Sequence, residues 1–187
     1  MGDLQGNPVV LVFAGPNGSG KTTVTRSLKL FGTYINTDDL KKKYDLSDLE
    51  AAQKAEAVRN NLLERGLDFS FETVLSTERN LLLLEKAKAR GYEVQCIYVL
   101  TSDENINVAR VKARHAAGGH GVLEEKVRLR FHRALSLLPR LNDVCDQLLI
   151  YDNTTMPCLI YSKQGANISF FPNAYWTEFK LHHLMGE

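Results

Sequence analysis

Residues 8–15, PVVLVFAG, form an unbroken apolar run that ends in glycine. Apolar residues without alternation predict a strand buried on both faces, as in a parallel sheet. The period then changes. In KTTVTRSLKLFG the apolar positions Val24, Leu28 and Phe31 recur at helical spacing, and Gly32 is a natural C-cap. TYIN is a short strand candidate. DDLKKKYD and SDLEAAQKAEAVRNNLLERG read as helices, the second opened by a capping box of Ser47 with Glu50 three residues on. LDFSFETV predicts a strand, ERNLLLLEKAKARG a helix closed by Gly91, and YEVQCIYVL another buried strand. SDENINVARVKARHAAGG predicts a helix that dissolves into a glycine pair. LEEKVRLRFHRALSLLP predicts a basic helix stopped by Pro139. QLLIYDN and PCLIYSKQG are late strands, followed by NISFFP and YWTEFKLHHL.

Strands alternate with helices throughout, which predicts an α/β fold with a mainly parallel central sheet flanked by helices. No repeat, low-complexity tract or linker interrupts residues 1–187, so one domain is expected. At 187 residues and 44% hydrophobic composition, the chain has enough apolar surface for a substantial core. The charge balance, 23 basic against 22 acidic residues, gives no general attraction to nucleic acid or acidic membrane, so neither is an expected partner and any basic site is local. Cys96, Cys145 and Cys158 are widely spaced among apolar neighbours, which reads as reduced core thiols in a cytosolic protein. No secretory leader or membrane-spanning run is expected, and Gly6 stands where an N-myristoylation signal needs Ser or Thr.

The chemistry concentrates at GPNGSGKT. Gly15, Gly20, Lys21 and Thr22 match G-x-x-x-x-G-K-[ST], after a buried strand and at the head of a helix. Backbone N–H groups must converge on phosphate oxygens there, and glycines at 15, 18 and 20 keep side chains out of the way. Gly15, Pro16, Asn17, Gly18, Ser19, Gly20, Lys21, Thr22 and Thr23 are therefore the expected nucleotide cradle. Lys21 is placed to reach the β- and γ-phosphates of ATP, and the Thr22 hydroxyl to join a Mg²⁺ shell. No N-K-x-D guanine reader and no L-S-G-G-Q-like motor signature is present. A small phosphotransferase with a mobile lid remains.

Three further stretches bear on that reading. In YINTDDL, Asp38 directly follows a strand end, where it suits either a proton acceptor for an attacking hydroxyl or a helix cap. In FSFETVLST, Glu72 suits either a Walker-B-type carboxylate that meets metal or substrate or a helix cap, and Thr73, Ser76 and Thr77 are turn residues that could donate hydrogen bonds to a polar substrate. In ARVKARHAAGGHGVLEEKVRLRFHR, Arg110, Arg114, Arg128, Arg130 and Arg133 flank a glycine-rich turn. Two basic helices and a flexible turn, about 110–133, would make a lid over ATP, with two or three of the arginines on phosphate and the rest solvated. His120 shapes that turn or touches substrate.

Together these residues resemble the zeta-toxin family and its small zeta-like P-loop kinases. The likeness runs through VFAGPNGSGKTT, YINTDDL, FSFETVLST, AKARGYEVQCIYVLTSDENINVARV, GGHGVLEEKVRLRFHRALSLL and IYDNT, roughly residues 9–155. It implies a P-loop NTPase fold of the nucleotide-kinase type with an Arg-rich helical lid. It also implies ATP- and Mg²⁺-dependent transfer of a phosphoryl group to a hydroxyl, for which the family's best-known acceptor is UDP-N-acetylglucosamine, and an antitoxin that blocks the ATP site. By position Asp38 matches the family's general base, Glu72 the acidic residue after the third strand that contacts substrate, and Lys21 and Thr22 its phosphate and metal contacts. Arg110 and Arg114 match its lid arginines, with Arg128 and Arg130 next. The chain is compact and carries GGHG where the large toxins have a longer lid segment. The rival expectation is a regulatory ATP-binding module acting on a protein partner. A nucleic-acid kinase has only one basic helix with Phe131 in its favour.

Overall fold

The computed structural model describes residues 6–25, 30–118 and 121–187. The elements are β1 (Val9–Ala14), α1 (Lys21–Thr25), β2 (Thr33–Ile35), α2 (Thr37–Tyr44), α3 (Asp48–Glu64), β3 (Phe69–Thr73), α4 (Glu78–Ala89) and β4 (Glu93–Leu100). They continue as α5 (Glu104–Ala116), α6 (Glu124–Ser136), α7 (Leu138–Val144), β5 (Gln147–Asp152), β6 (Cys158–Gln164), β7 (Asn167–Phe170) and α8 (Glu178–Met185). The strands form one sheet in the order β2-β3-β1-β4-β5-β6-β7. The first five are parallel and the last two antiparallel.

The apolar run of β1 takes the centre, with Val10, Val12 and Ala14 wholly buried between β3 and β4. The chain leaves β1 to build β2 and β3 on one side, then crosses to β4 and β5 on the other. The carboxyl end of β1 is thus a topological switch point, where open α/β sheets bind ligands. The capping box of α3 forms as the sequence predicts: the Ser47 hydroxyl accepts from the Glu50 N–H, and the Glu50 carboxylate accepts from the Ser47 N–H at 2.9 Å. Gly91, at φ +82°, follows the C-cap of α4. The main core spans both faces of the sheet. A second cluster, Val108, Val111 and Val127 with Val122 against it, joins α5 to α6 separately.

Two expectations need correction. Pro139 does not stop a long helix; α6 ends at Ser136, and Pro139 sits in the first turn of a new helix, α7. Its missing N–H costs nothing there, and Leu138 and Leu141 bury that helix in the core. Cys158 is not a core thiol: it opens β6 on the antiparallel side and is exposed, whereas Cys96 and Cys145 are buried. Leu28, expected on the helix after the glycine-rich turn, lies outside the described residues. No helix among the described residues is long and apolar enough to cross a membrane.

Candidate active site

The turn between β1 and α1 needs left-handed backbone at three glycines: φ is +139° at Gly15, +77° at Gly18 and +89° at Gly20. It also lies hard against protein. A Cβ at Gly15 would stand 2.0 Å from the Val99 carbonyl oxygen, and one at Gly18 2.5 Å from that of Asn107. Two asparagines brace the loop from far along the chain. Asn107, wholly buried in α5, donates from Nδ2 to the Asn17 carbonyl at 2.7 Å and accepts from the Thr101 hydroxyl. Asn153, just after β5, donates from Nδ2 to the Ser19 carbonyl at 2.8 Å.

Lys21 opens α1 at the mouth of this turn. Its ammonium donates to the carbonyls of Gly15 at 2.7 Å and Pro16 at 3.2 Å. Burial pulls its pKa down to about 8; Arg114 pushes the same way, while Glu72 and Asp38 pull it back up. Lys21 therefore feels the charges of Glu72, Arg114 and Asp38. Thr22 and Thr23 follow on the exposed side of the first turn of α1.

Opposite Lys21, the ends of β2 and β3 are tied together. Asn36 caps α2, its Oδ1 accepting from the Asp38 N–H at 2.9 Å. Its Nδ2 donates to Glu72 Oε2 at 3.0 Å, and the Tyr34 hydroxyl donates to the same oxygen at 3.3 Å. Burial raises the Tyr34 pKa, with Glu72 adding to the rise, so the phenol keeps its proton. Asp38 lies in the first turn of α2, on the exposed side. Thr73 is taken up by its own turn, its hydroxyl accepting from the Leu75 N–H at 3.0 Å and Asn80 Nδ2 at 2.8 Å.

The arginines separate into distinct roles. Arg110 donates from one terminal nitrogen to the Thr154 carbonyl at 3.1 Å, and its other terminal nitrogen is buried without a partner. Arg130 reaches from α6 to the cradle, donating to Asn17 Oδ1 at 3.3 Å. Arg128, expected among the cofactor contacts, is engaged by Glu104 at 2.7 Å and Glu124 at 2.7 Å, where it joins α5 to α6. His132 contacts Glu104 at 2.7 Å in the same network. Arg133 is exposed, and His120 lies outside the described residues.

The set fits a nucleoside triphosphate. A partly buried ammonium on the Gly15 and Pro16 carbonyls, with a depressed pKa, stands at a glycine cradle, and Arg110 carries a donor without a partner. It also fits Mg²⁺. Among the described residues no group of three or more His, Cys, Asp or Glu side chains gathers to hold a metal. Mg²⁺ in such sites relies on phosphate oxygens, water and one or two protein oxygens, for which the Thr22 hydroxyl is available.

Comparison with known proteins decides the family. The zeta toxin family model matches residues 3–164. The chain belongs to the zeta toxin family. An uncharacterized protein of Haemophilus influenzae is 30% identical over 128 residues, covering 65% of this chain and 91% of that one. Two solved structures share the fold. AvrRxo1-ORF1 in complex with AvrRxo1-ORF2 and ATP superposes with a TM-score of 0.73 at 14% identity over 89% of this chain. The match covers 61% of that chain. The PezAT toxin–antitoxin system of Streptococcus pneumoniae gives a TM-score of 0.56 at 16% identity, covering 83% of this chain and 72% of that one. This zeta toxin family member has the P-loop kinase fold, and family and fold support a kinase-like, nucleotide-dependent phosphotransferase.

Sequence reasoning missed the bracing residues of the site. Asn107 and Asn153 act 90 and 134 residues away from the backbone groups they hold, and no local pattern marks them. Asn36 carried a signal: an Asn before a helix start, next to the aspartate pair.

Proposed function

We propose that this protein is an ATP- and Mg²⁺-dependent kinase that phosphorylates a hydroxyl of a small molecule. The observation that supports the reading is that Lys21, hydrogen-bonded to the carbonyls of the glycine cradle, feels the charges of Glu72 and Asp38. An alcohol acceptor needs a proton acceptor on the side of the transferring phosphoryl group away from the leaving diphosphate, and one of these carboxylates would serve there.

ATP would supply the phosphoryl group, and the Thr22 hydroxyl would help to hold the Mg²⁺ that offsets phosphate charge. Lys21 gives up its carbonyl contacts for phosphate oxygens, which restore the charge that burial disfavours. Asp38 takes the proton of the acceptor hydroxyl as its oxygen bonds to phosphorus and the bond to the β-phosphate oxygen breaks. Glu72, fixed by Asn36 and Tyr34, holds a neighbouring hydroxyl of the acceptor and so orients the attacking one. Because the transition state is loose, positioning contributes more than basicity. Arg110, Arg114 and Arg130 neutralise the charge on the phosphoryl oxygens, while Arg128 braces α5 against α6. Helices α5 and α6, with their own small apolar cluster, act as the lid that excludes water.

UDP-N-acetylglucosamine is the first acceptor to try, because the chain belongs to the zeta toxin family. The ATP complex of AvrRxo1-ORF1 supports ATP as donor, and the PezAT system supports a protein antitoxin as partner. The test is incubation with Mg·ATP and a panel of hydroxyl compounds, read by mass spectrometry for a product one phosphoryl group heavier. Product from the wild type and none from Lys21→Ala supports the kinase. ATP binding with no phosphorylated acceptor and a co-purifying protein supports a regulatory module instead.

A further inference from the structure

Between α3 and α4 lies a cavity of about 480 Å³, outside the glycine cradle. Glu56, Arg59 and Asn60 line it from α3, and Arg79, Asn80 and Lys86 from α4. Three cations thus face one carboxylate. We propose that this groove is an anion-binding site that takes a phosphate-class oxyanion between Arg59 and Arg79.

Arg59 is the argument's anchor. It is only 6% exposed, and its guanidinium carbon sits 4.9 Å from the centre of the Phe71 ring. The ring meets the cation's charge but offers no oxygen to its N–H groups. Its Nε is buried and has no hydrogen-bond partner. Buried donors are nearly always satisfied, so an orphaned one in a side chain that lines a cavity points to an absent acceptor, which a small turn of the guanidinium would meet. Burial lowers the Arg59 pKa and Arg79 lowers it further, against the pull of Glu56. A second negative group would relieve that strain. Arg79 meets Glu56 at 3.4 Å, but both side chains are well exposed, and such a contact yields readily to a ligand. Two guanidinium forks suit the oxygen pairs of a phosphate group, which single ammonium groups do not. The cavity is larger than a bare phosphate and falls in the range of small-molecule pockets. Leu82 and Leu83 flank the cations and suit the body of a phosphorylated organic molecule.

The groove abuts the strand that carries Glu72. Asn80 in its wall donates to Thr73, the next residue, and Phe71 beneath Arg59 is the residue before. Two sources share the ligand chemistry: a phosphate carried by the acceptor of the kinase reaction, or a separate phosphorylated molecule. The site stands on the geometry of α3 and α4; only its assignment to the acceptor rests on the kinase reading.

The test uses the full chain saturated with Mg²⁺ and a non-hydrolysable ATP analogue, so that the cradle is filled. Inorganic pyrophosphate is then titrated while the Arg59 Nε–H resonance is followed by NMR. The proposal expects that resonance to move saturably. Affinity should fall about ten- to a hundredfold in Arg79→Gln, the loss expected for one charge-assisted hydrogen bond. An unmoved resonance at millimolar pyrophosphate, or equal affinity in Arg79→Gln, overturns it. Arg59→Lys should weaken binding likewise. If that variant fails to fold, the exposed Arg79 decides alone. With a phosphorylatable acceptor in hand, a raised KM for acceptor but not for ATP in Arg79→Gln assigns the anion to the acceptor. An unchanged KM with pyrophosphate binding still lost assigns it to a separate ligand. Should no acceptor be found at all, the titration still decides the site.

Discussion

Asn36 Nδ2 donates to Glu72 Oε2 at 3.0 Å, while Oδ1 of the same side chain accepts from the Asp38 N–H at 2.9 Å. One amide therefore ties the Glu72 carboxylate to the backbone that carries Asp38. Asn36→Ser keeps an N-cap acceptor but removes the amide donor, whereas Asn36→Ala removes both. Urea unfolding should show Asn36→Ala destabilised by about 1 kcal/mol and Asn36→Ser much less. Both should lose turnover while ATP binding persists, since Glu72 keeps only the longer contact from Tyr34. Full turnover in Asn36→Ser would show that the amide positions nothing.

Asp38→Asn keeps the size of the side chain and removes its proton affinity. Turnover on the true acceptor should fall by about a hundred- to ten-thousandfold, the usual contribution of a general base. ATP affinity, measured by calorimetry, should not fall, because the substitution removes a negative charge from beside the γ-phosphoryl and leaves Lys21 and the cradle in place. A variant with undiminished turnover means that another group takes the proton.

Lys21 makes ATP binding pH-dependent. Its pKa in the free protein is about 8, pulled down first by burial. Phosphate favours the ammonium form, so the pKa rises on binding. Below pH 8 the lysine is charged in both states and the affinity is flat. Above pH 8 the free lysine is neutral, binding must take up a proton, and affinity falls as pH rises, by about tenfold per unit at most. Calorimetry at pH 9 in buffers of different ionisation enthalpy should report proton uptake that is absent at pH 6.5. Equal affinity at the two pH values would place the lysine outside the phosphate site.

Asn153→Ala removes the donor to the buried Ser19 carbonyl and should cost about 1–3 kcal/mol of stability, the cost of a buried acceptor left unpaired. ATP affinity should fall with it, because the cradle loses a brace. Urea midpoint and ATP titration check the two effects separately. Unchanged ATP affinity in a destabilised variant would confine Asn153 to a packing role.

The central sheet is legible in the sequence because β1, and the carboxyl-terminal half of β4, are buried on both faces, and such stretches read as continuous apolar runs. The capping box of α3 and the glycine after α4 are equally local signals, and both appear in the structure as written in the chain. Pro139 misled because the same residue that ends one helix also suits the first turn of the next; deciding between them takes the burial of Leu138 and Leu141. The cradle glycines and Lys21 form a contiguous motif, and so they are readable. Asn107, Asn153 and the Arg59 groove are not, because each depends on a contact made by folding distant segments together.

The kinase reading stands or falls on whether the terminal phosphoryl of ATP lies between Lys21 and the Asp38 carboxylate. A crystal structure with Mg²⁺ and a non-hydrolysable ATP analogue decides this. Lys21 is expected to have moved from the Gly15 and Pro16 carbonyls onto phosphate oxygens, with Asp38 facing the γ-phosphoryl across a space that admits an acceptor. Lys21 still on those carbonyls, or Asp38 turned away with no space beside the phosphoryl, would contradict it.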